Sequence, residues 1–120
     1  MDQAAQREVT QELSEEDAIR LSEIMRALAS PLRLRILNAL QNGPATVTSL
    51  CERLDAGQAA VSNHLRLLRH LNLVVGTREG RNVYYQLFDD HVHDLLTQAV
   101  SHASHMPGFA EYSAVEANHS

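Results

Sequence analysis

Val47-Thr48-Ser49-Leu50-Cys51-Glu52-Arg53-Leu54-Asp55-Ala56-Gly57-Gln58-Ala59-Ala60-Val61-Ser62-Asn63-His64-Leu65-Arg66-Leu67-Leu68-Arg69 reads as two helical patterns divided by a tight turn. The first, about residues 47–54, turns Leu50 and Leu54 inward. Asp55-Ala56-Gly57 makes the turn, and the second pattern covers about 58–71. At about 100° per residue, Val61, Leu65 and Leu68 share one narrow stripe, the side a helix buries. Ala59, Ser62, Asn63 and Arg66 lie opposite, with Gln58 and Arg69 on the flanks. That face is short, polar and cationic, which suits base edges and phosphates in a major groove. A solvated amphipathic helix could carry the same pattern, so the neighbouring segments must decide between the two.

On the C-terminal side, Leu73–Thr77 and Asn82–Leu87 are β-rich runs flanking Arg78-Glu79-Gly80-Arg81, a hairpin with Arg78 and Arg81 expected at its tip. On the N-terminal side, Ser14-Glu15-Glu16-Asp17 has capping-box spacing, and Ile19, Leu21, Ile24, Met25 and Leu28 follow at helical intervals over about 15–28. Ser30-Pro31 opens another helix, which Asn42-Gly43-Pro44 stops. A last helix is predicted over about 90–105, before Pro107. The order α-α-α-α-β-β-α defines a mainly α fold with one small hairpin, a winged helix-turn-helix. Residues 14–106 form the predicted DNA-binding and dimerisation domain, between flexible tails 1–13 and 107–120.

Charge separates the readings of the polar face. The 120 residues carry a net charge of −5 and no Lys, so every cation but histidine is Arg. Arg is the side chain suited to forked contacts with phosphate and guanine. By segment the balance is −4 over residues 1–27, +1 over 28–55, +3 over 56–87 and −5 over 88–120. An acidic chain thus keeps a basic middle where the helix-turn-helix and hairpin lie, and double-stranded DNA is the expected partner. No apolar run reaches the roughly 18 residues of a membrane span. No secretory signal is visible at the start, and one cysteine makes no disulfide framework, so a reducing, cytoplasmic setting is expected.

Three stretches together resemble one family. Leu28-Ala29-Ser30-Pro31-Leu32-Arg33-Leu34-Arg35-Ile36-Leu37 resembles the second-helix signature of the arsenical-resistance repressor (ArsR/SmtB) family of winged-helix metal sensors. Gln58 to Leu68 is similar to its recognition helix, and Arg78 to Leu87 to its wing. The resemblance covers about residues 15–106. It departs at Gly57, where the family usually has a capping Ser, a change worth only a few tenths of a kcal/mol.

Four of the seven histidines fall between residues 91 and 105. On the last helix His91, His102 and His105 lie within about 60° of arc, and His93 points away towards solvent. His102 and His105 are i, i+3 neighbours, but His91 is about 16.5 Å along the helix and cannot join them in one chain. An antiparallel copy of the helix solves this: His91 of one chain then faces the pair of the other, and the two-fold axis makes two equal sites. Asp89 completes two ligands from each chain. The pattern Asp89-x-His91-(ten residues)-His102-x-x-His105 resembles the inter-subunit site of the zinc- and cobalt-responsive branch. The expected homodimer is joined through Leu21, Met25, Leu95, Leu96 and Val100.

Other metals fit less well. Cys51 alone remains where arsenic, lead and cadmium sensors carry Cys-x-Cys-x-x-Cys, and a lone thiol beside Val47, Leu50 and Leu54 reads as packing. Pro107 stands where six-coordinate nickel and cobalt sensors recruit a further histidine, leaving His119 in the tail. Three imidazoles and one carboxylate suit tetrahedral Zn(II), with Co(II) next and Ni(II) last. A hydrolytic zinc enzyme would keep an open position for water, whereas this set fills four, so no enzymatic activity is expected. The alternative is a winged-helix regulator answering to cobalt, nickel or a non-metal inducer, with a structural histidine site.

Overall fold

Side-chain caps start four of the five helices in the computed structural model, which describes residues 12–109. Most of the two predicted tails, residues 1–11 and 110–120 with His119, lies outside the described residues. Ser14 accepts from Asp17 N (3.0 Å) to open α1, Glu15–Leu28, and Ser30 accepts from Arg33 N (3.4 Å) to open α2, Pro31–Leu40. Thr46 caps α3, Val47–Leu54, through Ser49 N at 3.1 Å. Each oxygen satisfies one of the backbone donors that a helix start leaves free. Gly57 precedes α4, Gln58–His70, with no side-chain bond to offer. Asp89 opens α5, Asp90–Ala103.

The turn between α3 and α4 is made by Asp55, which takes the left-handed conformation (φ 54°, ψ 52°), while Gly57 stays extended. Asn72, also left-handed at φ 60°, ends α4 in a Schellman pattern: Leu73 N bonds Leu68 O (2.8 Å) and Asn72 N bonds Arg69 O (3.0 Å). The chain then runs straight into the hairpin of β1, Val74–Glu79, and β2, Asn82–Leu87, paired antiparallel from Val74 with Leu87 to Glu79 with Asn82. Only Gly80 and Arg81 remain for the turn. Arg78 therefore sits on β1 opposite Val83, two residues back from the tip where it was expected. Gly76 has a packing reason: a Cβ there would meet the Tyr85 ring at 3.0 Å and Val83 at 3.1 Å.

Ile36, Leu37, Leu50, Val61, Leu65, Leu68 and Val74 are fully buried and knit α2, α3, α4 and β1 into one core. The stripe read from the recognition segment is thus the one the protein buries. Ala45, between α2 and α3, exchanges two backbone hydrogen bonds with Tyr85 (2.9 and 2.8 Å) and ties the wing to the body. From α5, Val92 and Leu96 enter the same core. Leu96 was expected to face a second subunit; at 3% exposure it is spent on its own protomer. The last helix also ends two residues earlier than expected. Ser104 caps it, its hydroxyl donating to Ser101 O (2.8 Å), and His105 lies in the following turn. Pro107 disfavours helical backbone at Met106 just beyond.

Candidate metal half-sites and nucleic-acid interface

The outer face of α4 carries Gln58, Ala59, Asn63, Arg66 and Arg69 exposed, with Ser62 half-buried. Arg66 Nη1 donates to Asn63 Oδ1 at 3.0 Å, one turn back. This bond holds the guanidinium against the helix and aims its remaining donors outward, reducing the ordering that contact with a base would require. Arg81 at the hairpin turn and Arg78 on β1 are both exposed, beside the helix in sequence and on a separate projection in space. The arrangement offers a polar cationic helix to a major groove and two arginines to flanking backbone.

At the other end of the protein, α5 holds the ligand candidates in two pairs. Asp89 uses its two oxygens separately: Oδ1 accepts from Val92 N (3.1 Å) as the helix cap, and Oδ2 lies 3.3 Å from His91 Nδ1. The Val92 N–H is the chief reason that the Asp89 carboxyl stays below its usual pKa; partial desolvation opposes it and His91 assists. The His91 ring is 95% exposed. His102 is exposed in the last turn of α5, and His105, exposed beyond it, donates its backbone N–H to His102 O (3.3 Å). No three His, Cys, Asp or Glu side chains converge among the described residues of one chain. Asp89 and His91 are brought together and His102 and His105 are consecutive along one surface, but the two pairs stay at opposite ends of the helix.

His93 is exposed, as expected, but it is not without a partner. Its Nδ1 lies 3.3 Å from the Gln41 amide nitrogen, which also reaches His93 O (3.3 Å) and Thr97 Oγ1 (3.1 Å). The ring is exposed yet engaged, and Gln41 at the end of α2 grips the ligand-bearing helix. Residues 52 and 56 positions apart make this contact, and no local pattern announces it. Of the expected dimer residues, Leu21, Met25 and Leu95 are 37–46% exposed, Val100 is half-buried, and Leu96 is in the core. Cys51 is free and half-buried against the core, as expected for a packing residue.

A tri-helical core presenting a cationic helix beside a two-stranded, arginine-bearing wing defines a winged helix-turn-helix DNA-binding transcriptional regulator. Residues 30–75 match the model of the bacterial regulatory protein, arsR family. Over 94 residues, 78% of each chain, the protein is 47% identical to the HTH-type transcriptional regulator NmtR of Mycobacterium tuberculosis. The chain belongs to the ArsR/SmtB family. The solution structure of apo-NmtR superposes with a TM-score of 0.69 at 44% identity, covering 82% of this chain and 83% of that one. The cadmium metal-sensor CmtR of the same organism gives 0.57 at 44% identity over 64% and 80% of the two chains. A homodimeric winged helix-turn-helix DNA-binding domain from Mycobacterium bovis gives 0.66 at 26% identity over 78% and 92%. No helix among the described residues is long and apolar enough to cross a membrane.

Proposed function

We propose that the protein is a zinc-responsive repressor whose metal-free homodimer occupies an inverted-repeat operator and leaves it when zinc binds, derepressing genes for metal efflux or resistance. The observation that carries this reading is the division of ligands on α5 into two incomplete pairs. Asp89 and His91 at the start of the helix, with His102 and His105 of the partner subunit, make a four-ligand set, and the two-fold axis repeats it. Support for the dimer comes from α1, where only Ala27 is buried while Ile19, Leu21 and Met25 stand 39–54% exposed. Leu95 adds an exposed apolar position on α5. Leu21 and Met25 share one side of α1, and exposed apolar residues of this kind on a small protomer are the usual mark of an interface.

The mechanism follows from where the ligands sit. Joining the start of one α5 to the end of the other fixes how the two helices cross. Each α5 is packed on its own core through Val92 and Leu96, so fixing the crossing also fixes the separation of the two recognition helices. Linkage makes the effect reciprocal: if zinc weakens DNA binding, DNA weakens zinc binding by the same factor. Coupling of about 1–3 kcal/mol per site is usual and a full switch needs about 5.5, so two sites per dimer serve better than one.

Operator anisotropy titrated with zinc, cobalt, nickel and cadmium in turn tests the reading. Zinc is expected to release DNA from the parent, whereas His102→Ala stays bound at every zinc level. Release of His102→Ala at parental zinc concentrations would show that these residues are not the sensor and leave the structural-histidine alternative. A monomer by sedimentation at micromolar protein would remove the shared site altogether.

A further inference from the structure

Arg33 belongs to neither surface described above, yet it touches three helices. From the first turn of α2, its Nε donates to Ala27 O (2.6 Å) and its Nη2 reaches towards Arg26 O (3.5 Å). Both acceptors are at the C-terminal end of α1, where helical carbonyls run out of i+4 partners, although Arg26 O also accepts from Ala29 N (3.1 Å). The third arm, Nη1, lies 3.2 Å from Nδ1 of His64 on the recognition helix. A guanidinium has only donors, so Nδ1 must accept, which places the imidazole proton on Nε2 and leaves the ring neutral. His64 stands in sequence between Asn63 and Leu65, a DNA-facing residue and a core residue, where a small change in seating moves the whole polar face.

We propose that Arg33 and neutral His64 are the positioning pair that seats the recognition helix on the end of α1, so that a proton on His64 weakens operator binding. Protonation removes the acceptor and sets two cations against each other at the same contact. Arg33 also borders a cluster of charged and titratable groups, Glu23 and Arg26 on α1 and His70 on α4 itself. Together they line an open cavity of about 370 Å³ at the junction of these helices. The Arg33 guanidinium disfavours a further positive charge on the ring. Burial first, and then the charge of Arg33, hold His64 below the ordinary histidine pKa. The direction of the effect is diagnostic. An added cation on a DNA-facing helix ordinarily strengthens attraction to phosphate, whereas loss of seating weakens binding.

The test uses the metal-free, full-length dimer and an operator duplex selected from a randomised pool, with anisotropy read from pH 8 to 5 at constant ionic strength. His64→Asn is the comparison, because Asn Oδ1 sits two bonds from Cβ as Nδ1 does and accepts without titrating. Parent affinity relative to His64→Asn is expected to fall with pH, towards a limit of roughly tenfold per pH unit for each His64 proton released, and so up to about a hundredfold when both recognition helices of the dimer engage. Other histidines are common to both proteins and cancel in the ratio. A ratio that stays constant, or rises in the parent's favour at low pH, overturns the proposal. Should His64→Asn fold poorly, nitrogen NMR of the parent decides: the Nε2–H tautomer is expected, and a proton on Nδ1 refutes the contact on which the pairing rests. Because zinc is absent throughout, the outcome is independent of the metal assigned to α5.

Discussion

Asp89 is asked to do two jobs, and replacing it by Asn or by Ala separates them. Oδ1 caps α5 through Val92 N at 3.1 Å, while Oδ2 beside His91 is the oxygen available to a metal. Asn caps a helix about as well as Asp, so Asp89→Asn should keep apo stability within a few tenths of a kcal/mol, whereas Ala forfeits the cap at about 1 kcal/mol. For a domain of this size that loss lowers the melting temperature by roughly 4–8 °C. Zinc at 100 times its Kd stabilises the parent by about 2.7 kcal/mol per site. If losing the carboxylate raises Kd by even the roughly 10–100-fold that an outer-shell partner is worth, the gain falls to about 0.4–1.4 kcal/mol in both variants. Thermal melts at fixed protomer concentration, with and without zinc, read all four quantities. A parental zinc shift in Asp89→Asn would make Asp89 a cap and no ligand, and the four-ligand site would be refuted. A parental apo melting temperature in Asp89→Ala would refute the capping argument instead.

Arg66→Ala should weaken operator binding by about 1–3 kcal/mol if it reads a base, or lower the salt slope by roughly one unit if it meets phosphate; anisotropy across a salt series distinguishes the two, and no change in either removes Arg66 from the interface. Gly57→Ser should stabilise the apo protein by a few tenths of a kcal/mol, because φ −74° and ψ 152° suit an N-cap and a Cβ meets nothing within 4 Å. A lower melting temperature would contradict that. Gln41→Ala should loosen α5 from α2 and shrink the zinc-dependent change in operator Kd while leaving zinc affinity near parental. An unchanged ratio of Kd with and without zinc would show that the Gln41–His93–Thr97 contact carries no coupling.

Features governed by neighbours in sequence were legible before the structure. Ser14 and Ser30 cap helices because a side-chain oxygen meets a backbone donor three residues on, and Val61, Leu65 and Leu68 share a stripe because helical rotation is constant. The hairpin was legible as an element, but its turn was placed too wide, since β pairing ran through Arg78 and Glu79 up to a two-residue loop. Contacts set by how elements rotate against one another were not legible. Ala45 with Tyr85, Arg33 with His64 and Gln41 with His93 are separated by 40, 31 and 52 positions and involve polar groups that carry no periodic signal. Leu95 and Leu96 show the same boundary within one helix. Both are apolar and adjacent, and only the placement of α5 against β2 and the core decides that Leu96 is buried while Leu95 stays exposed.

The proposed metal ligands are the instructive case, because they are inferred from a failure of local geometry. A helix rises about 1.5 Å per residue, so His91 and His102 cannot meet within one chain whatever the surrounding fold. Four residues with zinc-ligand chemistry, arranged as two pairs that cannot close, would complete a metal site only if a second copy supplied the missing half. The exposed residues of α1 and Leu95 make the same demand on independent grounds, since apolar side chains left in water favour a cover. One antiparallel pairing of α5 helices would join the ligand pairs and shield Leu95 beside them, while Leu21 and Met25 on α1 need cover from the same second copy. Gln41 adds what neither demand requires: a hydrogen-bonded hold on α5 from the end of α2, whose core residues Ile36 and Leu37 pack with those of α4. A change in how the two α5 helices cross would therefore be transmitted to the recognition helix through packed side chains as well as through the wing.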